Sequence, residues 1–177
     1  MGNIRVADIR AATAADLTPL RALVESAYRG DSARRGWTHE ADMLGGQRTD
    51  EDTLGAIIAD PQQRILLAER DGALAGCVQL TAKNDGTAYL GLLAVDPELQ
   101  TGGIGAKLIA TCEAAARDEF HATRMEMTVI DGRTELIAYY QRKGYALTGE
   151  RRPFPMGDER FGLPQQQLEF VVLEKAL

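Results

Sequence analysis

Two hydrophobic periods alternate along the chain, one of helices and one of strands. Ile4 to Ala11 reads as a strand, and Thr13-Ala14-Ala15-Asp16 then resembles a helix cap. Leu17, Leu20, Leu23, Val24 and Ala27 mark one face of the helix that follows. Residues 29–48 are irregular and polar, with a short helical stretch near Glu40 to Leu44. A second helix runs from about Glu51 to Ala59, where Asp60-Pro61 stops it. Three strand patterns come next, Ile65 to Glu69, Leu74 to Thr81 and Ala88 to Val95. Asp71-Gly72 and Asn84-Asp85-Gly86 join them as hairpin turns. Lys107 to Phe120 carries an apolar helical face of Leu108, Cys112, Ala115, Ala116 and Phe120. Met125 to Val129 alternates as a strand does, and Leu136 to Lys143 is a short helix. Strands starting at Tyr145 and covering Leu168 to Leu173 close the pattern. With no internal repeat, low-complexity run or linker, residues 1–177 read as a single domain.

Between the strand ending at Val95 and the helix lies Gln100-Thr101-Gly102-Gly103-Ile104-Gly105-Ala106. Glycines there lie at a helix N-terminus, where several backbone N–H groups have no partner inside the helix. They let a phosphate approach the main chain, and the helix dipole adds partial positive charge. The stretch therefore predicts an anion site, most naturally for a diphosphate. Two common phosphate patterns fail on spacing. A P-loop from Gly102 would need Gly where Lys107 stands, and a dinucleotide fingerprint from Gly103 and Gly105 would need Gly at Leu108.

What fits is Gln-x-x-Gly-x-Gly, at Gln100, Gly103 and Gly105. It resembles the coenzyme A loop of the GNAT superfamily of N-acetyltransferases. Leu92-Leu93-Ala94-Val95 stands where that family has an apolar strand end before the loop. Tyr140-Gln141-Arg142-Lys143-Gly144-Tyr145 stands where it has Tyr-x-x-x-Gly-aromatic. Residues 4 to 150 carry the resemblance well, and the order of elements agrees. It implies a mixed α/β (α+β) fold: a mostly antiparallel twisted sheet with a splayed parallel strand pair and flanking helices. The pantetheine arm of acetyl-CoA would enter that splay and bond like an added strand. By position, Leu93-Ala94-Val95 would line the arm, with Leu93 and Val95 offering backbone groups. Gln100, Thr101, Gly102, Gly103, Ile104, Gly105 and Ala106 would surround the diphosphate.

The implied activity is direct acetyl transfer from acetyl-CoA to a primary amine of a small molecule or peptide. A catalytically silent acyl-CoA-binding module on the same fold is the alternative. Tyr140 would protonate the departing coenzyme sulfur, since a phenol of pKa about 10 suits a thiolate whose acid lies near ~8.5. Half-buried packing on the helix face is its other reading, and Tyr139 reads as a packing residue. Seven residues before the tyrosine the family often has a coenzyme-contacting Asn; Arg133 stands here, able to reach a coenzyme oxygen or simply to face solvent. Eleven residues before the Gln, the histone-modifying branch has a glutamate base; this chain has Tyr89. Glu126, which shares a strand face with Thr128, and His39 are the candidate bases, with Tyr89 in a water chain as a third option. Residues Trp37 through Asp52 and Arg151 to Pro155 are expected to line the acceptor site.

Composition narrows the partners. The chain of 177 residues has 45% hydrophobic residues, enough for a sizeable core. A net charge of −6 argues against nucleic acid and weakly favours a cationic acceptor. No stretch approaches a membrane span and no signal-peptide pattern opens the chain, so a cytoplasmic enzyme is expected. Cys77 and Cys112 read as reduced core residues. Two histidines and two cysteines, widely spaced, indicate no metal site. A homodimer is left open.

Overall fold

The computed structural model describes residues 8–28, 50–99, 102–153 and 169–177, and the backbone of residues 44–45 and 163–164. In chain order these form β1 (Asp8–Ala11), a 3₁₀ turn (Ala14–Asp16), α1 (Leu17–Tyr28), β2 (Leu44–Gly45), α2 (Glu51–Ala59), β3 (Gln63–Arg70), β4 (Ala73–Ala82) and β5 (Thr87–Val95). Then come α3 (Ile104–Phe120), β6 (Arg124–Ile130), α4 (Thr134–Arg142), β7 (Ala146–Pro153), β8 (Leu163–Pro164) and β9 (Glu169–Ala176). Seven strands make one sheet in the order β1-β3-β4-β5-β6-β9-β7. Every neighbouring pair is antiparallel except β5 and β6, which are parallel. The expected fold class is therefore the one observed.

Alternation along the strands sends side chains to two helical layers. One core joins Leu20, Leu23, Val24 and Ala27 of α1 and Leu54 of α2 to Ile65, Leu67, Cys77, Leu92 and Ala94 of the sheet. The other joins Ile104, Leu108, Ile109, Cys112 and Ala116 of α3 to Val78, Leu80, Ala88, Leu90, Met125, Met127 and Leu173. Tyr140 and Tyr145 extend this second core. Both cysteines are buried thiols outside any disulfide, and burial, with Glu113 beside it, pushes the Cys112 thiol up to about 12.

The hairpin expected at Asp71-Gly72 has both residues at positive φ, 54° and 80°, as a two-residue type I′ turn requires. Two expectations are corrected. Leu44, placed in a helical stretch, instead pairs with Pro164 as part of β2, a contact between distant segments that no local pattern reports; residues 40–43 lie outside the described residues. Helix α3 starts at Ile104 rather than Lys107, because Gly103 serves as a left-handed N-cap and Ile104-Gly105-Ala106 already form the first turn.

β1 is tied to the start of α1 through Asp16. Its Oδ2 accepts from the Thr13 backbone N–H at 2.8 Å and from Arg10 Nη1 at 2.9 Å, and Oδ1 accepts from Arg10 Nη2 at 2.8 Å. The Arg10 guanidinium, then the Thr13 N–H, hold the Asp16 carboxyl well below its usual range against the effect of burial. A carboxyl depressed in the folded state stabilises the fold above its unfolded pKa of about 3.9, and that contribution is lost as pH falls further. Asp16→Asn should cost about 1–2 kcal/mol at pH 7 by chemical denaturation. The gap from wild type should narrow below pH ~4, where the unfolded chain's carboxyl takes up a proton that the native carboxylate still excludes.

Candidate active site

Parallel strands β5 and β6 are paired at only three positions, Thr87↔Arg124, Ala88↔Met125 and Tyr89↔Glu126. Beyond Tyr89 the two strands separate. A bulge in β5 lies at the point of separation: Cys77 pairs with Ala94 but Gln79 pairs with Gly91, leaving one extra residue in β5. Leu92 takes up that residue with φ of 50°, an uncommon conformation for a branched side chain. Two features hold it there. Its side chain is buried in the α1–α2 core, and its carbonyl accepts from the Cys77 thiol at 3.4 Å. A bulge bends its own strand and strengthens its twist, which here turns β5 away from β6.

Helix α3 brings its N-terminus to the open end of this splay. The first bond within the helix is Lys107 N–H to the Gly103 carbonyl at 3.1 Å, so the amides of Ile104, Gly105 and Ala106 precede the ladder. Gly103 has φ of 77°, and a Cβ there would meet nothing within 4 Å. The cap is thus both left-handed and open, the two properties an anion cradle needs. Gly76 of β4 sets how closely α3 lies on the sheet: a Cβ would come within 2.9 Å of Leu108, 3.0 Å of the Ala94 carbonyl and 3.2 Å of Ile104. Gly102 lies against the Arg70 guanidinium, which would be 3.5 Å from an added Cβ. Arg70 comes from the β3–β4 hairpin, and nothing in its local sequence signals this neighbour. Gln100 and Thr101 lie outside the described residues. Leu93 is half-buried against the α3 core, and Ala94 and Val95 are buried.

Helix α4 flanks α3 from the other side. Arg133 takes its N-cap position, and its carbonyl accepts from Ile137 N–H at 3.0 Å. Tyr140 is 6% exposed, with its ring edge-on to Tyr139 at 5.4 Å and to Tyr145 at 6.2 Å. Gly144 ends the helix with φ of 99°, as its expected capping role requires. Tyr145 then folds back: its hydroxyl donates to Glu113 of α3 at 3.3 Å, and Lys175 of β9 holds the same carboxylate at 2.9 Å. The hydroxyl of Tyr139 points at the first turn of α3, 3.3 Å from where a Gly105 Cβ would stand. Tyr139 therefore packs, as expected, but with its polar end at the glycine stretch.

The opposite face of the sheet is polar around the same splay. Met125 and Met127 face α3, so Glu126 and Thr128 face away from it. Tyr89 lies along β5 over Gly91, whose Cβ would be 3.1 Å from the ring. Its hydroxyl meets the Thr128 hydroxyl at 2.5 Å, so a side-chain bridge spans the strands just past their last backbone pair. Glu126 is 8% exposed, and its Oε1 accepts from Lys83 Nζ and from Arg152 Nη1, each at 2.8 Å. Burial acts to raise this carboxyl, but the Arg152 and Lys83 hydrogen bonds outweigh it and the net shift is downward. Such a carboxylate suits holding a cation better than removing a proton. Arg152 falls in the stretch expected to line the acceptor site. Lys83, next to a turn, carried no signal. His39, with Trp37 to Gln47, lies outside the described residues' side chains.

Splay, glycine cap and tyrosine helix occur together in this chain, and comparison with known proteins adds the family. The family described as "Acetyltransferase (GNAT) family" matches residues 24–145. The chain belongs to that family. No curated protein matches the sequence. Among solved structures, the ribosomal-protein-alanine N-acetyltransferase of Brucella melitensis is 22% identical with a TM-score of 0.70, covering 96% of this chain and 99% of its own. Nourseothricin acetyltransferase is 18% identical with a TM-score of 0.70, covering 97% and 98%. A Bacillus anthracis str. Ames protein described as a streptothricin acetyltransferase, in complex with acetyl coenzyme A, is 18% identical with a TM-score of 0.58, covering 69% and 66%. At these identities the likeness is one of fold.

In this GNAT chain the α1–α2 and α3 layers pack on opposite faces of the sheet that carries the splay. Among the described residues no helix is long and apolar enough to cross a membrane, and no cluster of three His, Cys, Asp or Glu side chains could hold a metal ion. The electrostatics of Glu126 can be tested directly. Replacing both cations, Lys83→Met with Arg152→Met, leaves only the effect of burial, so the Glu126 carboxyl should titrate above its ordinary value of about 4.3 rather than below it. Carboxyl-carbon NMR titration of the two proteins would read the change in direction.

Proposed function

We propose that this GNAT chain is an acetyl-CoA-dependent N-acetyltransferase acting on a primary amine of a small molecule or peptide, within one domain and in the cytoplasm. The observation that carries the reading is the splay of β5 and β6 with the open glycine cap of α3 at its mouth. The residues present fit the coenzyme. A diphosphate needs converging donors with nothing in front of them, and the Ile104, Gly105 and Ala106 amides behind an unobstructed Gly103 supply these. The Arg70 guanidinium beside Gly102 adds positive charge at the loop. The main chain of Leu93 to Val95, on the bulged strand, suits strand-like pairing with a pantetheine arm. Gln100, Thr101 and Arg133 are further contacts by motif position.

When bound, acetyl-CoA supplies a thioester carbon that bonds to the amine nitrogen as the C–S bond breaks. Tyr140, on the α3 side of the sheet, is the proposed proton donor to the departing sulfur. The amine approaches from the opposite face, where Tyr89, Thr128 and Glu126 line the splay. Among the described residues Oε2 of Glu126 accepts no hydrogen bond, while Oε1 is fixed by Lys83 and Arg152. We assign that oxygen to orienting the amine, or a water that carries its proton away. With its carboxyl depressed, Glu126 serves less well as the base itself than His39, the other candidate.

Coenzyme A release with a panel of amines would establish turnover. In that assay Tyr140→Phe should reduce kcat by about 10²-fold with little change in coenzyme affinity. Binding without release for every amine would instead favour the silent acyl-CoA module, and an unchanged kcat in the variant would return Tyr140 to packing. The base is separable by pH. If His39 accepts the proton, His39→Gln should lose the acidic limb of the kcat/KM profile, near its unperturbed pKa of about 6.5. Glu126→Gln should keep that limb and raise KM; loss of the limb in Glu126→Gln would make Glu126 the base after all.

A further inference from the structure

Where backbone pairing between β5 and β6 ends, two side chains continue it. Tyr89 is the last β5 residue in the pairing, and its ring lies along the strand over Gly91, 3.1 Å from where a Cβ there would stand. A side chain at Gly91 would crowd that ring, so the glycine is what lets the phenol lie against the sheet. Lys83 Nζ stands 5.7 Å from the ring centroid, and the phenol oxygen meets the Thr128 hydroxyl of β6 at 2.5 Å. The phenol is thus fixed along its face and at its tip, at the closed end of the splay.

Counting donors exposes something the fold does not use. Two hydroxyls carry two hydrogens, and the hydrogen bond between them takes up one. Whichever oxygen accepts keeps its own O–H. Among the described residues neither hydroxyl has a further hydrogen-bond partner, and both side chains are half-buried. A hydroxyl that is itself accepting a hydrogen bond is also a stronger donor. The remaining O–H therefore suits an acceptor arriving in the splay. Its place on β5 indicates which. From the α3 cap towards the closed end, β5 runs Val95, Leu93, Gly91, Tyr89. Strand-like pairing of pantetheine with Leu93 to Val95, with the diphosphate at α3, would leave the thioester end of the arm beside Gly91 and Tyr89. A thioester carbonyl oxygen is an acceptor with no hydrogen of its own.

Resting on the acetyl-CoA reading above, we propose that the Tyr89–Thr128 hydroxyl pair donates its remaining O–H to the acetyl carbonyl oxygen and is a further catalytic group. As the amine nitrogen bonds to the carbonyl carbon, an electron pair moves onto that oxygen, and the hydroxyl hydrogen bond strengthens against the growing charge. The pair returns as the C–S bond breaks and the sulfur leaves with the bonding electrons. Both hydroxyls keep their protons throughout, so the role is distinct from that of the base and from that of Tyr140.

The test uses wild type and the double variant Tyr89→Phe with Thr128→Val, which keeps both shapes and removes both hydroxyls. Calorimetry would compare acetyl-CoA, free coenzyme A and S-ethyl-coenzyme A, in which a methylene replaces the carbonyl. Wild type should prefer acetyl-CoA to the S-ethyl compound by about fivefold, the worth of one hydrogen bond. The double variant should lose that preference, bind free coenzyme A as wild type does, and fall in kcat by about 10²-fold. In infrared difference spectra, the carbonyl stretch of bound ¹³C-labelled acetyl-CoA should lie at higher frequency in the double variant than in wild type. An unchanged stretch, or a preference retained in the double variant, overturns the proposal. An equal loss of affinity for all three ligands overturns it too, and makes the bridge a structural clamp on the splay. Failure of wild type to bind any of the three would instead overturn the acetyl-CoA reading, and this role with it.

Discussion

Backbone hydrogen bonding between β5 and β6 lasts for three residue pairs and then stops. A sheet normally loses by leaving buried strand groups unpaired, so an interruption in its middle needs a local cause. The bulge at Leu92 is that cause. It costs an uncommon backbone conformation for a leucine, offset by burying that side chain under α1 and α2 and by a thiol hydrogen bond from Cys77. Everything proposed for the site follows from the gap this opens. Without it, α3 would still present its amides, but β5 and β6 would stay paired between them and the polar face that bears Tyr89, Thr128 and Glu126.

The second requirement is that an acidic chain bind an anion. Net charge acts over long range, whereas unpaired amides, a helix end and a few cations act within a few ångströms. Gly76 fixes the distance of α3 from β4, so the amide donors are aimed by core packing rather than by a loop. The Glu113, Tyr145 and Lys175 cluster does the same for the end of α4, through which Tyr139 and Tyr140 are held. Rigid placement of both helices is what lets main-chain groups serve as a binding site.

The sequence made the local features legible. Helical periodicity marked α1 and α3, turn chemistry marked the Asp71-Gly72 hairpin, and the glycine spacing with the later tyrosine pointed to the family. What stayed hidden depends on contacts between distant segments. The β2–β8 pairing joins Leu44 to Pro164, so a local helical pattern misread it. The bulge at Leu92 follows Gly91, a glycine inside a strand run of the kind that can mark a bulge, but Ala88 to Val95 read as one regular strand. Glu126 stood out as an acid on a strand, but its character is set by Lys83 and Arg152, each reached only through the fold. Tyr139 looked like a packing residue because its neighbour Gly105 is far away in sequence.

The central claim is that coenzyme enters on the α3 side of the splay and the amine on the other. Backbone amide NMR, titrating first coenzyme A and then an acceptor amine found by turnover, tests it most directly. The account predicts that coenzyme A shifts the amides of Gly102 to Ala106 and of Leu93 to Val95, and that the amine afterwards shifts Glu126 and Thr128. Coenzyme-induced shifts that bypass both the glycine cap and the bulged end of β5 would contradict it.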